Sequence, residues 1–244
     1  MARRRFFVEE VRNGHAELLG EDAQHLARVL RAEPGQRFEL SDNRSAYLAE
    51  IVELRKERVT FRILEGLPPE SPAARITLFA CLIKFDRLEW MIEKTTELGV
   101  HAILPVHAAR SEKGLLAAAQ KRVERWRRIA RESSQQSRRV RIPEILAPQQ
   151  LASAMRTPSA YSYFLDEAPQ ATPVLHALPP EEERKTSDEL SLFVGPEGGW
   201  TPAERAGLTT AHWTGVSLGP YTLRSETAAA AGLAVLANAW RTVS

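Results

Sequence analysis

The sequence predicts a two-part α/β protein: a small β-rich N-terminal domain followed by a larger domain built around a mostly parallel sheet. Short apolar runs alternate with polar turns over the first 70 or so residues, the period-2 signature of half-buried strands. A break follows at Gly66-Leu-Pro-Pro-Glu-Ser-Pro, where three prolines in five positions disfavour both helix and central strand. From Arg75 onward apolar strands alternate with helical patterns, as in α/β domains. The expected domains are residues 1–72 and 73–244.

In the first domain the strand candidates are 5–8, 35–40, 47–52 and 58–64, and segment 22–30 places Leu26, Val29 and Leu30 at helical spacing. In the second, 76–83 is a buried-strand candidate. Asp86 with Glu89 three residues on reads as a helix start, Leu88, Met91, Ile92, Thr95 and Leu98 form one face, and Gly99 stops the helix. Strand 102–106, an arginine-rich helix over 115–133, strands 161–165 and 190–194, and an alanine-rich helix over 225–240 complete the list. The charged, proline-containing stretch 179–189 reads as a surface loop.

With 244 residues, 43% hydrophobic and 26% charged, the chain can bury a core without staples and belongs to neither the disordered nor the membrane class. Cys81 is the only cysteine, set among Leu78, Phe79, Leu82 and Ile83; it reads as core, and a multi-cysteine metal site is excluded. No histidine pair has metal-ligand spacing with carboxylates, so no metal is expected. The tryptophans are scattered and read as packing residues, with Trp200 set apart by its place beside a glycine loop. No signal peptide or membrane span is read from the sequence, and a cytoplasmic location follows by default.

The net charge of +2 announces no partner by itself. Its distribution does more. Arginine gathers at Arg3, Arg4 and Arg5, and basic residues again run from Lys121 to Arg141 with only Glu124 and Glu132 opposing. A solvated helix face and a phosphate-contacting face have equal weight up to Arg131; the continuation beyond the helix favours RNA.

Two turns could carry chemistry. In Leu192-Phe-Val-Gly-Pro-Glu-Gly-Gly-Trp-Thr-Pro-Ala-Glu a strand stops at glycines and enters a helix with Thr201 as N-cap, Pro202 at the first position and Glu204 in a capping box. It is neither a Walker loop nor Gly-x-Gly-x-x-Gly, and Glu197 favours a cationic or neutral ligand over an anion. A purely structural turn has comparable weight. Val216-Ser-Leu-Gly-Pro-Tyr-Thr-Leu-Arg-Ser-Glu-Thr-Ala is a second strand, turn and helix start, with Arg224 and Glu226 at the helix mouth, where a surface ion pair is the bland reading.

Gly195-Pro-Glu-Gly-Gly, Leu218-Gly-Pro-Tyr-Thr-Leu-Arg-Ser-Glu-Thr-Ala, Lys84 with Glu93-Lys-Thr-Thr-Glu-Leu-Gly-Val, Arg110-Ser and Gln136-Ser-Arg-Arg-Val-Arg-Ile-Pro occur in that family's order and resemble the RsmE family of small-subunit ribosomal RNA methyltransferases. Arg4-Arg-Phe-Phe-Val and His25-Leu-Ala-Arg-Val-Leu-Arg-Ala-Glu-Pro-Gly resemble its RNA-binding module. The resemblance implies a PUA-like β-barrel, a C-terminal SPOUT domain with a deep trefoil knot, a homodimer, and S-adenosyl-L-methionine as methyl donor to N3 of a uridine in 16S rRNA or the assembled 30S subunit. It further implies a cofactor site at Gly195, Glu197, Gly198, Gly199, Leu218, Gly219 and Leu223, held mainly by backbone groups. Arg139, Arg224 and Glu226 become the candidate catalytic residues, and Arg4, Arg5, Arg28, Arg31, Arg110, Arg138 and Arg139 the RNA contacts. The chain departs from the family at Gln135 (usually Glu), Arg138 (usually Gly), Tyr221 (usually Arg) and Thr222 (usually Ile). Two rivals stand beside this reading: a SPOUT enzyme methylating a transfer-RNA ribose 2′ oxygen, and an RNA-binding assembly factor without activity, for which Tyr221 is the only hint.

Overall fold

A computed structural model describes residues 4–69, 73–157 and 159–241. Arg3 and part of the expected proline-rich linker, residues 70–72, lie outside the described residues. The chain divides into two compact units, bounded at 71/72, 130/131 and 142/143, so that segment 131–142 is grouped with the N-terminal unit.

The first unit contains strands β1 (Arg5–Phe7), β2 (Val11–Arg12), β3 (His15–Leu19), β4 (Arg37–Ser41), β5 (Ala46–Leu54) and β6 (Arg58–Gly66) in one sheet of order β1-β4-β5-β6-β3-β2. β1 and β4 are parallel and the remaining pairs antiparallel. Phe6, Leu18, Leu26, Leu40, Ile51 and Phe61 form its core. β2 and β3 were not expected. They are a hairpin closed by Asn13-Gly14, both at positive φ, the pair that a two-residue turn of this twist requires. In β3 only Ala16 and Leu18 point inward, too weak an apolar signal to register.

The expected helix over 22–30 is α1 (Gly20–Gln24) continued by a π-helical turn, His25–Val29. The wider turn rotates the register: Leu26 is buried, whereas Val29 and Leu30 face solvent, contrary to the single buried face that their spacing implied. Segment 131–142 closes the unit with polar bonds. Arg131 donates to Asp22 Oδ2 at 2.8 Å and to the Phe7 carbonyl at 2.7 Å, and Gln135 Nε2 donates to Asp22 at 3.0 Å. The Ser41 hydroxyl donates to the Val140 carbonyl at 2.6 Å.

The second unit has β7 (Arg75–Cys81), α2 (Phe85–Glu97), β8 (Ala102–His107), α3 (Leu115–Gln120), the start of α4 (Val123–Gln136), β9 (Glu144–Ile145), β10 (Gln149–Gln150) and α5 (Leu151–Ala154). There follow β11 (Tyr161–Leu165), β12 (Thr172–Pro173), α6 (Val174–Ala177), β13 (Glu189–Val194), α7 (Pro202–Thr210), β14 (Thr214–Ser217) and α8 (Ser225–Ala239). The sheet order is β10-β8-β7-β13-β11-β14-β12 with β9 beside β8, and every pair is parallel. Central strands such as β13, buried at all but its first residue, read as continuous apolar runs because both faces are covered.

Aromatic edges fill one layer of this core: the Phe193 ring lies 5.0 Å from Trp213 and 5.5 Å from Trp200, geometry that favours ring edges against faces. Cys81 is fully buried in the same cluster, as its apolar neighbours implied. Two helix expectations need correction. α2 opens at Lys84 without a side-chain cap, two residues ahead of Asp86, which lies inside the first turn, and Glu89 bonds Arg125 at 2.7 Å and Arg122 at 3.1 Å. The long arginine-rich helix is two helices, α3 and α4, broken at 121–122. The stretch 179–189 is surface chain containing one 3₁₀ turn, Glu181–Glu183.

Candidate cofactor and RNA site

The site is built where β13 ends. Three apolar residues, Leu192, Phe193 and Val194, carry the chain through the core to Gly195. A Cβ on Gly195 would lie 3.0 Å from the Trp200 ring, so glycine lets the indole close under the turn. That indole is fixed: Nε1 donates to the Leu165 carbonyl at 2.8 Å. Gly199 has φ +67°, and a Cβ there would meet Glu167 Oε1 at 2.8 Å. The following helix start is capped as the sequence predicts. Thr201 Oγ1 accepts from the Glu204 amide at 3.2 Å and Glu204 Oε2 accepts from the Thr201 amide at 2.8 Å. Glu204 Oε1 also accepts from the Ala109 amide at 2.8 Å, which ties the turn to the chain after β8.

The second turn leaves β14 and enters α8 through Gly219. The two turns are joined by one bond, from the Ser225 hydroxyl to the Gly195 carbonyl at 2.9 Å. Between them opens a pocket of about 580 Å³, counting the part open to solvent. Its walls are Asp166 and Glu167 past β11, Gly195, Pro196 and Gly199 on the first turn, and Leu218, Gly219, Tyr221 and Leu223 on the second, with Ser225 and Ala228 from α8. The pocket thus sits at the carboxyl ends of parallel strands, where open α/β sheets bind ligands.

Its charges fall into two groups. Asp166 takes a forked bond from Arg205, 2.8 Å to each oxygen, and this carboxylate raises the pKa of the Arg205 guanidinium. Glu167 makes no hydrogen bond or close ion pair with a described residue and is exposed on the pocket wall. Outside the lining, Arg87 on α2 pairs with Glu197 and reaches Glu226 Oε1 at 4.0 Å. Glu226 is 9% exposed, and its Oε2 is buried with no hydrogen-bond partner among the described residues.

Of the expected cofactor residues, Gly195, Gly199, Leu218, Gly219 and Leu223 line the pocket, while Glu197 and Gly198 do not. The Glu197 carboxylate is taken by Arg87, and the Gly198 carbonyl accepts from Arg110 at 2.6 Å. Arg110, expected at RNA, therefore braces the glycine turn. Arg224 is exposed at the mouth of α8. Asp166, Glu167 and Ser225 were not singled out in the sequence; the signal available was an acidic pair following an apolar strand.

The remaining expected RNA residues belong to the first unit. Arg4, Arg28 and Arg31 are exposed. Arg5 is 8% exposed, its guanidinium donating to Glu39 Oε2 at 3.0 Å, so this arginine is spent inside the fold. Arg138, at φ +58°, bonds the same Glu39 from the outside. Arg139 is half-buried and its amide donates to the Ser134 carbonyl at 3.0 Å. Among the described residues no group of three His, Cys, Asp or Glu could hold a metal ion, and no helix is long and apolar enough to cross a membrane.

The model of an RNA methyltransferase domain matches residues 69–237, and that of an RNA methyltransferase PUA domain matches residues 18–64. The chain is 31% identical over 237 residues to ribosomal RNA small subunit methyltransferase E of Bacillus subtilis, covering 92% of each. It is 34% identical over 234 residues to the protein of that name from Mycobacterium tuberculosis, covering 91% of this chain and 86% of the relative. Among solved structures it resembles ribosomal RNA small subunit methyltransferase E from Neisseria gonorrhoeae bound to S-adenosyl methionine, at 28% identity and TM-score 0.85 over 98% of both chains. A methyltransferase of Legionella pneumophila in complex with the same cofactor gives 29% identity and TM-score 0.86, again over 98% of both. This chain, with its N-terminal PUA domain and parallel α/β methyltransferase domain, belongs to the ribosomal RNA small subunit methyltransferase E family.

Proposed function

We propose that this protein transfers a methyl group from S-adenosylmethionine to N3 of a uridine in 16S rRNA. The observation that carries the proposal is the pocket itself. Two glycine-bearing turns, joined through Ser225 and Gly195, line one open pocket in a chain of this family.

The residues present suit the cofactor. Close backbone at Gly195, Gly199, Leu218 and Gly219 offers amides and carbonyls to its polar edges, and Glu167 offers a carboxylate to hydroxyl or ammonium groups. The absence of a Lys or Arg from the lining favours a cationic ligand over a phosphate. S-adenosylmethionine supplies an electrophilic methyl group on a sulfonium sulfur. Arg110 and Trp200 keep the first turn rigid, which holds reacting groups in line, a contribution that can reach several kcal/mol.

Uridine N3 bears a proton at neutral pH, so the reaction needs a group that accepts it and one that stabilises the imide anion. Arg224, exposed at the helix mouth beside the pocket, serves as the anion-stabilising donor. Glu226, two residues on, keeps one carboxylate oxygen without a partner among the described residues and serves as the proton acceptor. Arg139, with the exposed Arg4, Arg28 and Arg31, makes phosphate contacts that position the RNA without reading its sequence.

The same proposal includes the deep trefoil knot. The chain runs from β13 past β11 to β14, then returns so that α8 packs on β13 and β7; knotted connections are rare exceptions to the usual rule. It also includes a homodimer acting in the cytoplasm on 16S rRNA or the assembled 30S subunit, with domain limits at 1–72 and 73–244. The test is digestion of RNA methylated by the purified protein to nucleosides and their separation by mass spectrometry. 3-Methyluridine is expected. A 2′-O-methylated nucleoside would transfer the protein to the ribose-methylating reading, and RNA binding without any methylated nucleoside would leave an assembly factor.

A further inference from the structure

Tyr221 is the most solvent-exposed large hydrophobic side chain in the second turn, 84% exposed, although it also lines the pocket, and Leu223 near it is 39% exposed. A large ring held at a pocket lip while facing solvent has one face available to a flat partner. Its backbone is set by what precedes it. Gly219 at φ +144° takes a conformation that L side chains rarely adopt, and Pro220 fixes the next φ. Pro220 thus narrows the backbone freedom just before Tyr221, which lowers the ordering cost of presenting the ring.

The reaction imposes a matching requirement. A base paired or stacked in an RNA helix cannot bring its N3 to a donor held in a pocket, so the target pyrimidine must leave its stack and lose that stacking energy. An aromatic side chain at the entrance returns part of it, worth about 1–3 kcal/mol per base. On these grounds, and resting on the functional reading above, we propose that Tyr221 is the platform on which the unstacked uracil of the substrate RNA rests as it enters the site. Stacking asks only for a π face, which is why a tyrosine suffices here without a positive charge.

The experiment compares the parent with Tyr221→Phe, Tyr221→Leu and Tyr221→Ala, using unmethylated 16S rRNA or 30S subunits, whichever the parent methylates. KM for RNA, kcat, the calorimetric Kd for S-adenosylmethionine and the mass in solution are measured for each. Phe keeps the π face and holds KM for RNA near the parent value. Leu and Ala remove it and lower kcat/KM for RNA about 10- to 100-fold, the range given by one lost stacked base, a loss well beyond any change in cofactor Kd, with solution mass unchanged. Leu separates stacking from simple apolar contact, since it keeps bulk without a ring. Leu and Ala variants as active as the parent overturn the proposal. So does a cofactor Kd that rises by as much as kcat/KM falls, which makes cofactor contact the whole of Tyr221's effect, or a change of mass, which makes it a contact between copies. A parent that methylates no uridine overturns the functional reading and this proposal with it, whereas a methylating parent with indifferent variants overturns the proposal alone.

Discussion

Individual side chains here answer to close-range geometry that spacing in the sequence does not encode. Gly199 combines a left-handed φ of +67° with a Cβ position 2.8 Å from Glu167 Oε1. An alanine there meets a backbone cost of about 1–2 kcal/mol and displaces the carboxylate. Gly199→Ala should weaken S-adenosylmethionine binding about tenfold, since each 1.4 kcal/mol is a factor of ten; calorimetric titration reads it, and an unchanged Kd would remove Gly199 from the cofactor wall. Arg224 is exposed and outside the core, so Arg224→Ala should keep the thermal midpoint within a degree or two while lowering kcat by about 100-fold or more, as loss of an anion-stabilising donor does. Parental turnover in that variant would exclude it from the chemistry. The sequence made these residues visible as glycines and charges at two turns. It could not reveal that Glu197 is neutralised by Arg87 or that Arg5 is consumed by Glu39, because those partners lie 110 and 34 residues apart in the chain.

At the scale of elements, capping and strand alternation were legible, and register was not. Thr201, Pro202 and Glu204 announce the start of α7, and the capping box is formed as written. Asp86 and Glu89 carry a similar pattern, yet Arg122 and Arg125 claim Glu89 and hold its carboxyl below the usual range, chiefly through the Arg125 hydrogen bond. The helix begins at Phe85, so Asp86 falls in its first turn and the pattern is out of register for a cap. The π-helical turn at His25–Val29 shows the same limit, since helical periodicity assumes a regular period. Glu204 serves two segments at once, capping α7 and accepting from the Ala109 amide. Glu204→Ala should destabilise the protein by about 2–3 kcal/mol, through the lost cap and an amide left unpaired. Thr201→Ala, which leaves the Ala109 bond in place, should cost about 1 kcal/mol. Equal denaturant midpoints for the two variants would mean that the Ala109 contact contributes nothing.

For the whole molecule, the alternation of strand and helix after residue 75 is enough to specify a parallel sheet, because its buried strands carry apolar residues on both faces. The order of those strands depends on contacts between segments far apart in sequence and does not follow from the pattern. The core they make is dense around Cys81, which is fully buried; burial first, and the Glu204 charge second, push its thiol well above the ordinary value. Thiolate is the reactive form, so native protein should resist iodoacetamide at pH 8, and labelling should appear only across the unfolding transition, as followed by intact mass. Rapid labelling of the native state would contradict the packing described.

The pocket between the turns at Gly195 and Gly219 should deliver a methyl group to a single uridine. Unmethylated 30S subunits and free 16S rRNA, incubated with the protein and isotope-labelled S-adenosylmethionine, test it when the product is mapped by nuclease digestion and mass spectrometry. Label is expected on N3 of one uridine at a stoichiometry approaching one methyl group per 16S rRNA. Label on a ribose, label spread over many sites, or no transfer to either substrate would contradict it.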